Sequence, residues 1–214
     1  VGGSGDDTFL AAGGDTVNGS WGTDTLDFSH LVLSDPLRVD FNGAAYWGGG
    51  GSTMMNFSNI DRVVAADTDT TFSGSWGADT FIGASGNDIV VGSDGDDVLD
   101  GGAGTNKLDY SVTSSAVTVD LAGGSAQSVD FGTDTLSSYE GASSFQAVTT
   151  GTANDVVNVD DYNATVTGNA GVDSVDFTAT TGNTGAFGET LSLSDFGIFD
   201  SVEYLDLSND ANDT

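Results

Sequence analysis

Between Gly74 and Asp109 the chain reads GSWGADTFI, GASGNDIVV, GSDGDDVLD, GGAGTNKLD, four nine-residue blocks with no insertion between them. Gly opens each block (Gly74, Gly83, Gly92, Gly101) and returns at the fourth place (Gly77, Gly86, Gly95, Gly104). An acid or its amide holds the sixth place (Asp79, Asp88, Asp97, Asn106), and an apolar residue holds the eighth (Phe81, Val90, Leu99, Leu108). Four positions in phase over consecutive blocks separate this stretch from an ordinary glycine-rich turn. A fixed short period of this kind restricts the chain to a stacked, solenoidal architecture.

Two glycines within four residues permit φ > 0, so the first six residues can turn tightly with their carbonyls facing inward. The other three form a strand in which only the middle side chain faces the interior, and that place is the apolar one. Two blocks then close one flattened coil. Asp79 and Asp97 stack on one edge and Asp88 and Asn106 on the other, about 4.8 Å apart per layer. Carboxylates at that spacing repel unless a cation lies between them. Calcium suits the gap, because it takes roughly 6–8 oxygens at about 2.3–2.6 Å from carboxylates and backbone carbonyls alike. Several ions are expected, held in this array by Asp79, Asp88, Asp97 and Asn106 with the turn glycines Gly77, Gly86 and Gly95. Asn106 offers one neutral oxygen, so its site is expected to be the loosest. Zinc fits poorly, since the chain has no Cys and one histidine, His30.

Charge carries the same message. The 214 residues hold 37% hydrophobic side chains, 3 Lys and Arg (Arg38, Arg62, Lys107) and 33 Asp and Glu, for a net charge of −30. That balance belongs to a chain that stays disordered by itself. Calcium reverses it, because binding energy becomes folding energy. So acidic a surface argues against nucleic acid and against anionic membrane surfaces as partners. No apolar run is long enough to span a bilayer, so membrane insertion is not expected. Without cysteines the chain has no disulfides, which fits a calcium-rich exterior where ions act as staples. It begins inside a repeat at Val1-Gly2-Gly3 and stops at Asn212-Asp213-Thr214, in what resembles the opening of another, as expected of an excerpt from a longer protein.

The beat recurs on both sides of the array. GGSGDDTFL (2–10) keeps Asp7 and Phe9, a degenerate block at 10–18 keeps Asp15 and Val17, and GSWGTDTLD (19–27) supplies Asp24. After Leu26 the beat stops, and Leu26-Asp27-Phe28-Ser29 leads to the alternating strand Leu37-Arg38-Val39-Asp40-Phe41. The same succession returns as Leu108-Asp109-Tyr110-Ser111 before Val117-Thr118-Val119-Asp120-Leu121, and more loosely as Val175-Asp176-Phe177-Thr178 before Leu191-Ser192-Leu193. A third element, Ser58-Asn59-Ile60-Asp61, matches Ser137-Ser138-Tyr139-Glu140 and Asp200-Ser201-Val202-Glu203. The chain therefore divides into three units, 1–73, 74–149 and 150–214. The third is eroded, keeping Asp155 and Asp173 as candidate ligands and an apolar ladder of Val157, Val166 and Val175, so fewer ions are expected there.

This alternation of nonapeptides with L-D-[FY]-S, V-x-V-D-L and S-x-[IVY]-[DE] segments resembles the calcium-binding repeat regions of large RTX (repeats-in-toxin) proteins that bacteria export by type I secretion. The resemblance covers nearly the whole chain and is most specific at 74–121. It implies an all-β, right-handed parallel β-roll solenoid with interspersed non-repeat β segments. It also implies export in an unfolded state and folding outside the cell on meeting calcium. The expected function is calcium-dependent structure in an extracellular adhesin, surface-layer or matrix protein, with copies of itself or other surface components as partners. The alternatives are an accessory module of a secreted protease, lipase or polysaccharide-modifying enzyme, and a self-assembling filament or sheet.

Catalytic constellations are not expected. His30 lies beside Ser29 near Asp27 and Asp35, but no nucleophile elbow, HExxH or P-loop accompanies it, and a solvated loop histidine is the simpler reading. Asp67-Thr68-Asp69 begins like an EF-hand, yet Phe72 stands where its glycine is required. Trp21 and Trp76 occupy the third place of equivalent blocks and are expected to cover the roll edge. The segment Asn42 to Phe57, with four consecutive glycines beside Tyr46, Trp47, Met54 and Met55, is expected to fold back as a cap over the first array; an exposed contact loop is the alternative.

Overall fold

A computed structural model describes residues 1–48, 52–139, 142–159, 164–177, 199–200 and 204–206. Three-residue strands follow the turns as the spacing requires: β1 (Thr8–Leu10), β2 (Thr16–Asn18) and β3 (Thr25–Asp27). An antiparallel meander comes next, β4 (Leu37–Asp40), β5 (Ala44–Trp47) and β6 (Ser52–Ser58). The beat resumes with β7 (Arg62–Val64), β8 (Thr70–Ser73), β9 (Thr80–Ile82), β10 (Ile89–Val91), β11 (Val98–Asp100) and β12 (Lys107–Asp109). A second meander follows, β13 (Val117–Asp120), β14 (Ser125–Ser128) and β15 (Gly132–Leu136), then a short hairpin of β16 (Ser138–Tyr139) and β17 (Ala142–Ser143). The last strands are β18 (Ala147–Thr149), β19 (Val156–Val159), β20 (Thr165–Thr167), β21 (Ser174–Phe177), β22 (Phe199–Asp200) and β23 (Tyr204–Asp206). Among the described residues there is no helix.

Outside the two meanders and the β16–β17 hairpin, successive strands alternate between two sheets, which is the β-roll that the nine-residue period calls for. Sheet A runs β1-β3-β7-β9-β11-β15-β14-β13-β19-β21-β23 and sheet B runs β2-β6-β5-β4-β8-β10-β12-β18-β20-β22. Within the arrays, strands one coil apart pair in parallel, as Val98 with Thr80 and Leu99 with Phe81 in sheet A, and Val90 with Leu108 in sheet B. Each strand of the 74–109 array buries only its middle residue, and Phe81, Val90, Leu99 and Leu108 form one continuous core with Leu26, Val63, Val148, Val157, Val166 and Val175. The stacked rings of Phe72 and Phe81, 4.7 Å between centroids, join the two sheets across it. Val157, Val166 and Val175 continue this core past residue 150 although the nonapeptide pattern is eroded there, because an inward apolar residue in the strand and a carboxylate in the turn are separate demands on the sequence.

The segment from Asn42 to Phe57 is not a cap. Its β5 and β6 sit inside sheet B, where β6 pairs in parallel with β2 and β4 pairs in parallel with β8. Met54 and Met55 are buried in the core, while Trp47 stays 51% exposed. Met55 lies across from Ala45 and both are buried, as alternation at period two requires, while a register shift between Ala45 and Tyr46 leaves Met54 as an extra residue that is buried as well. Residues 49–51 of this segment, like Leu191-Ser192-Leu193, Glu140 and Ser201-Val202-Glu203, lie outside the described residues.

Candidate metal centre

The turns leading into sheet A form one edge of the roll and those leading into sheet B the other. On edge A the strand registers stack Asp7, Asp24, Asp61, Asp79, Asp97 and Asp134 in succession, with Asp155 and Asp173 beyond the second meander. On edge B the same place holds Asp15, Met55, Leu37, Thr70, Asp88, Asn106, Gln146 and Ala164. Acid thus follows acid on edge A. On edge B, Asp88 stands between Thr70 and Asn106.

At most levels one side-chain oxygen ties a coil to the next; between Asp61 and Asp79 no such bond forms, and the Asp61 N–H donates to the Asp24 carbonyl instead (3.0 Å). The Asp7 N–H donates to Asp24 Oδ1 (2.9 Å), Asp24 to Asp61 Oδ2 (2.8 Å), Asp79 to Asp97 Oδ1 (2.9 Å), Asp97 to Asp134 Oδ1 (3.0 Å) and Asp155 to Asp173 Oδ1 (2.8 Å). Edge B repeats the pattern with Thr70 N–H on Asp88 Oδ1 (2.7 Å), Asp88 on Asn106 Oδ1 (2.8 Å) and Asn106 on Gln146 Oε1 (2.8 Å). These bonds explain why Asn and Gln can stand in for Asp without breaking the stack.

The second carboxylate oxygen decides what the gap can hold. Oδ2 of Asp24, Asp88 and Asp155 is buried without a hydrogen bond of good geometry. Backbone oxygen crowds the same space: a Cβ at Gly83 would lie 2.3 Å from the Gly101 carbonyl and 2.6 Å from Asp88 Oδ2, and one at Gly2 would lie 2.3 Å from the Gly19 carbonyl and 2.4 Å from Asp7 Oδ2. The opening glycine of a block is therefore needed for close approach, and the gap beside it is lined by oxygen from two coils. Oxygen facing oxygen in a buried gap needs a donor or a hard cation. Among the described residues no three His, Cys, Asp or Glu side chains group together, so an ion here must draw on carbonyls as well as carboxylates. That donor set fits calcium. When bound, the ion supplies the positive charge that cancels repulsion along the stack.

The protein alone pays for these buried charges in proton affinity. Burial pushes the Asp97 carboxyl up to about 7, and the charges of Asp134 and Asp79 add to it. Burial likewise raises Asp88 to about 6, helped by Asp69, and Asp134 to about 6. Asp79 moves in the same direction for the same reason. At Asp134 the Tyr110 hydroxyl donates to Oδ2, and the Tyr110 ring packs where a Cβ on Gly92 would stand, 2.3 Å from Cδ1. Tyr110 thus fills the gap at that level.

Several sequence expectations need revision. Asp15 is exposed and has Met55, not an acid, as its neighbour in the stack. Asn106 offers no side-chain oxygen to the gap: its Oδ1 is taken by Asp88, and its Nδ2 donates to the carbonyls of Ser144 (3.0 Å), Gly102 (3.3 Å) and Ala103 (3.5 Å). Reversing the amide would set oxygen against three carbonyls, so the orientation follows from the neighbours. The carbonyls of Gly77, Gly86 and Gly95 each face the fourth-place glycine of the next coil, where a Cβ would lie 2.5, 2.1 and 2.5 Å away. Trp21 and Trp76 do not cover the edge, being 80% and 87% exposed, because the third place of the turn points outward.

Asp61 and Asp134 were missed. Gly132-Thr133-Asp134-Thr135-Leu136 repeats Gly22-Thr23-Asp24-Thr25-Leu26 letter for letter, a half block without its opening glycine. At Asp61 the fourth-place glycine is replaced by Asn59, whose φ of 51° lies in the left-handed region that asparagine tolerates best after glycine. Reading the pattern as fourth, sixth and eighth places, with Asn allowed at the fourth, would have found both.

The family model of the RTX calcium-binding nonapeptide repeat (4 copies) matches residues 73–108. No curated protein matches the chain. The buried oxygen-lined stack and this match agree on the same turns: residues 73–108 are RTX calcium-binding nonapeptide repeats, and the ions they bind are Ca2+.

Proposed function

We propose that this chain is a calcium-dependent structural segment of an extracellular bacterial protein of the adhesin, surface-layer or matrix kind, exported unfolded and folded outside the cell by calcium. The observation that carries this reading is the column of buried aspartates on edge A, set in a roll whose core is otherwise complete. Without cations those charges oppose folding, and with them they staple one coil to the next. A non-catalytic role is supported by where the unusual acids lie. Asp79, Asp88, Asp97 and Asp134 all have raised pKa values, yet each is buried in the turn stack instead of lining a cleft, and His30 is exposed. Circular dichroism in chelator, followed by calcium titration, tests the folding step; equal sheet content in both conditions would refute it. Surface labelling of intact producing cells tests the location, and a signal confined to lysed cells would overturn it.

A further inference from the structure

The two meanders interrupt the roll at equivalent points, and each interruption faces the last nonapeptide before it. At the first, the Asp24 N–H donates to Asp61 at 2.8 Å, and a Cβ on Gly19 would lie 1.9 Å from the Asn59 carbonyl and 2.3 Å from Asp24 Oδ2. At the second, the Asn106 N–H donates to Gln146 at 2.8 Å, and a Cβ on Gly101 would lie 2.6 Å from the Ser144 carbonyl and 2.7 Å from Asn106 Nδ2. Asp24, Asn59 and Asp61 therefore correspond place for place to Asn106, Ser144 and Gln146. The geometry is shared and the chemistry is opposite.

In the second site every group is neutral and satisfied. The Asn106 amide nitrogen points at the Ser144, Gly102 and Ala103 carbonyls and donates to them. In the first site the atom in the place of that nitrogen is Asp24 Oδ2. It is buried, it has no hydrogen-bond partner, and it faces the Asn59 carbonyl beside a second carboxylate. Oxygen against oxygen cannot be satisfied by rotating a side chain, because a carboxylate has no donor to offer.

We propose that the first interruption carries a calcium site of its own, formed by Asp24, Asp61 and the Asn59 carbonyl, and that at the second interruption the Asn106 amide nitrogen takes the place of the ion. The inference rests on the calcium reading of the nonapeptides and extends it to residues outside any nonapeptide. Its consequence is directional. The ion column runs along edge A and crosses the first meander without a gap, whereas edge B is sealed at Asn106 and needs no metal there to hold β12 against β18.

Reciprocal exchange in the full chain tests this, with bound calcium counted by plasma mass spectrometry after dialysis and melting followed by circular dichroism. Asp24→Asn should lose about one ion, still fold in saturating calcium, and need less calcium to fold, since its new amide can do what Asn106 does. Asn106→Asp should gain about one ion, or, if the site stays vacant, need more calcium to fold than the parent chain. Asp61→Asn, which leaves the nonapeptides intact, should also lose about one ion. Unchanged stoichiometry and unchanged calcium midpoint in Asp24→Asn and Asp61→Asn would overturn the first half of the proposal. An Asn106→Asp variant indistinguishable from the parent in both readouts would overturn the second. A parent chain that binds no calcium would instead refute the calcium reading itself.

Discussion

Leu99→Ala probes how much each block contributes, because a nonapeptide has only one inward side chain to lose. Leu99 is 1% exposed and sits in register between Phe81 and Leu136 in sheet A. Removing its outer carbons costs about 0.8 kcal/mol per buried methylene, roughly 2.4 kcal/mol before any cavity is counted. The cavity adds to this, and leucine-to-alanine changes in cores span about 2–5 kcal/mol according to how far the surroundings collapse. Collapse is limited here, since Phe81 is held by stacking on Phe72 and the strands above and below are fixed by their ladder. We expect a loss of about 3–4 kcal/mol in saturating calcium, measured by denaturant unfolding. Val98→Ala, one residue earlier on the outward face and 41% exposed, is the control and should cost under about 1 kcal/mol. A Leu99→Ala loss no larger than that of Val98→Ala would refute the assignment of the eighth place as the sole core position.

Three further outcomes are expected. In chelator the roll should gain sheet structure as the pH falls from 8 to 5: the folded pKa values of Asp97 (about 7), Asp88 and Asp134 (about 6) exceed the ordinary 3.8, so the folded state binds more protons and its stability falls as pH rises through that window; circular dichroism showing no gain at pH 5 would contradict this. Asn59→Gly should be tolerated while Asn59→Ala should cost on the order of 1–2 kcal/mol, because the backbone there is left-handed at φ 51°, and equal melting temperatures for the two would sink the argument. Magnesium should fold the chain poorly, since it demands octahedral geometry near about 2.0–2.1 Å and gives up water reluctantly; matching titration curves for the two ions would count against an oxygen-cage site.

The roll was legible from the period, and so was the core, because a nine-residue block leaves one place for an inward side chain and Phe81, Val90, Leu99 and Leu108 occupy it. The pairing of Asp79 with Asp97 and of Asp88 with Asn106 was legible for the same reason. What escaped depended on contacts made across the interruptions. Asp61 reaches Asp24 over 37 residues of sequence, and Asp97 reaches Asp134 over the same separation, so no local window connects them. The role of Asn106 escaped because it turns on which atom of the amide faces three carbonyls. Residue type alone suggests a weakened ligand; the geometry shows a donor.

The meanders also explain how so regular a roll survives two long interruptions. Alternation between sheets requires one strand in sheet B between β2 and β8, and three are present; it requires one in sheet A between β11 and β19, and again three are present. Each meander reverses the chain twice, so its outer strands meet their neighbours in parallel and the roll continues in the same sense on both sides. The cost is a mismatch of two strand spacings, about 9–10 Å, between facing sheets. A single meander would leave that excess to be absorbed by bending the roll towards the shorter sheet. The second meander adds its strands to the opposite sheet, which brings the totals among the described residues to 11 and 10, and so restores the balance between the two faces. Because the two interruptions differ in which sheet they enter, the last block before each lies on a different edge. The same L-D-[FY]-S succession follows Asp24 on edge A and Asn106 on edge B, so the contrast between an acidic gap and a neutral one comes from the sixth-place residue itself: an unpartnered Asp24 Oδ2 in one, and an Asn106 amide donating to three carbonyls in the other.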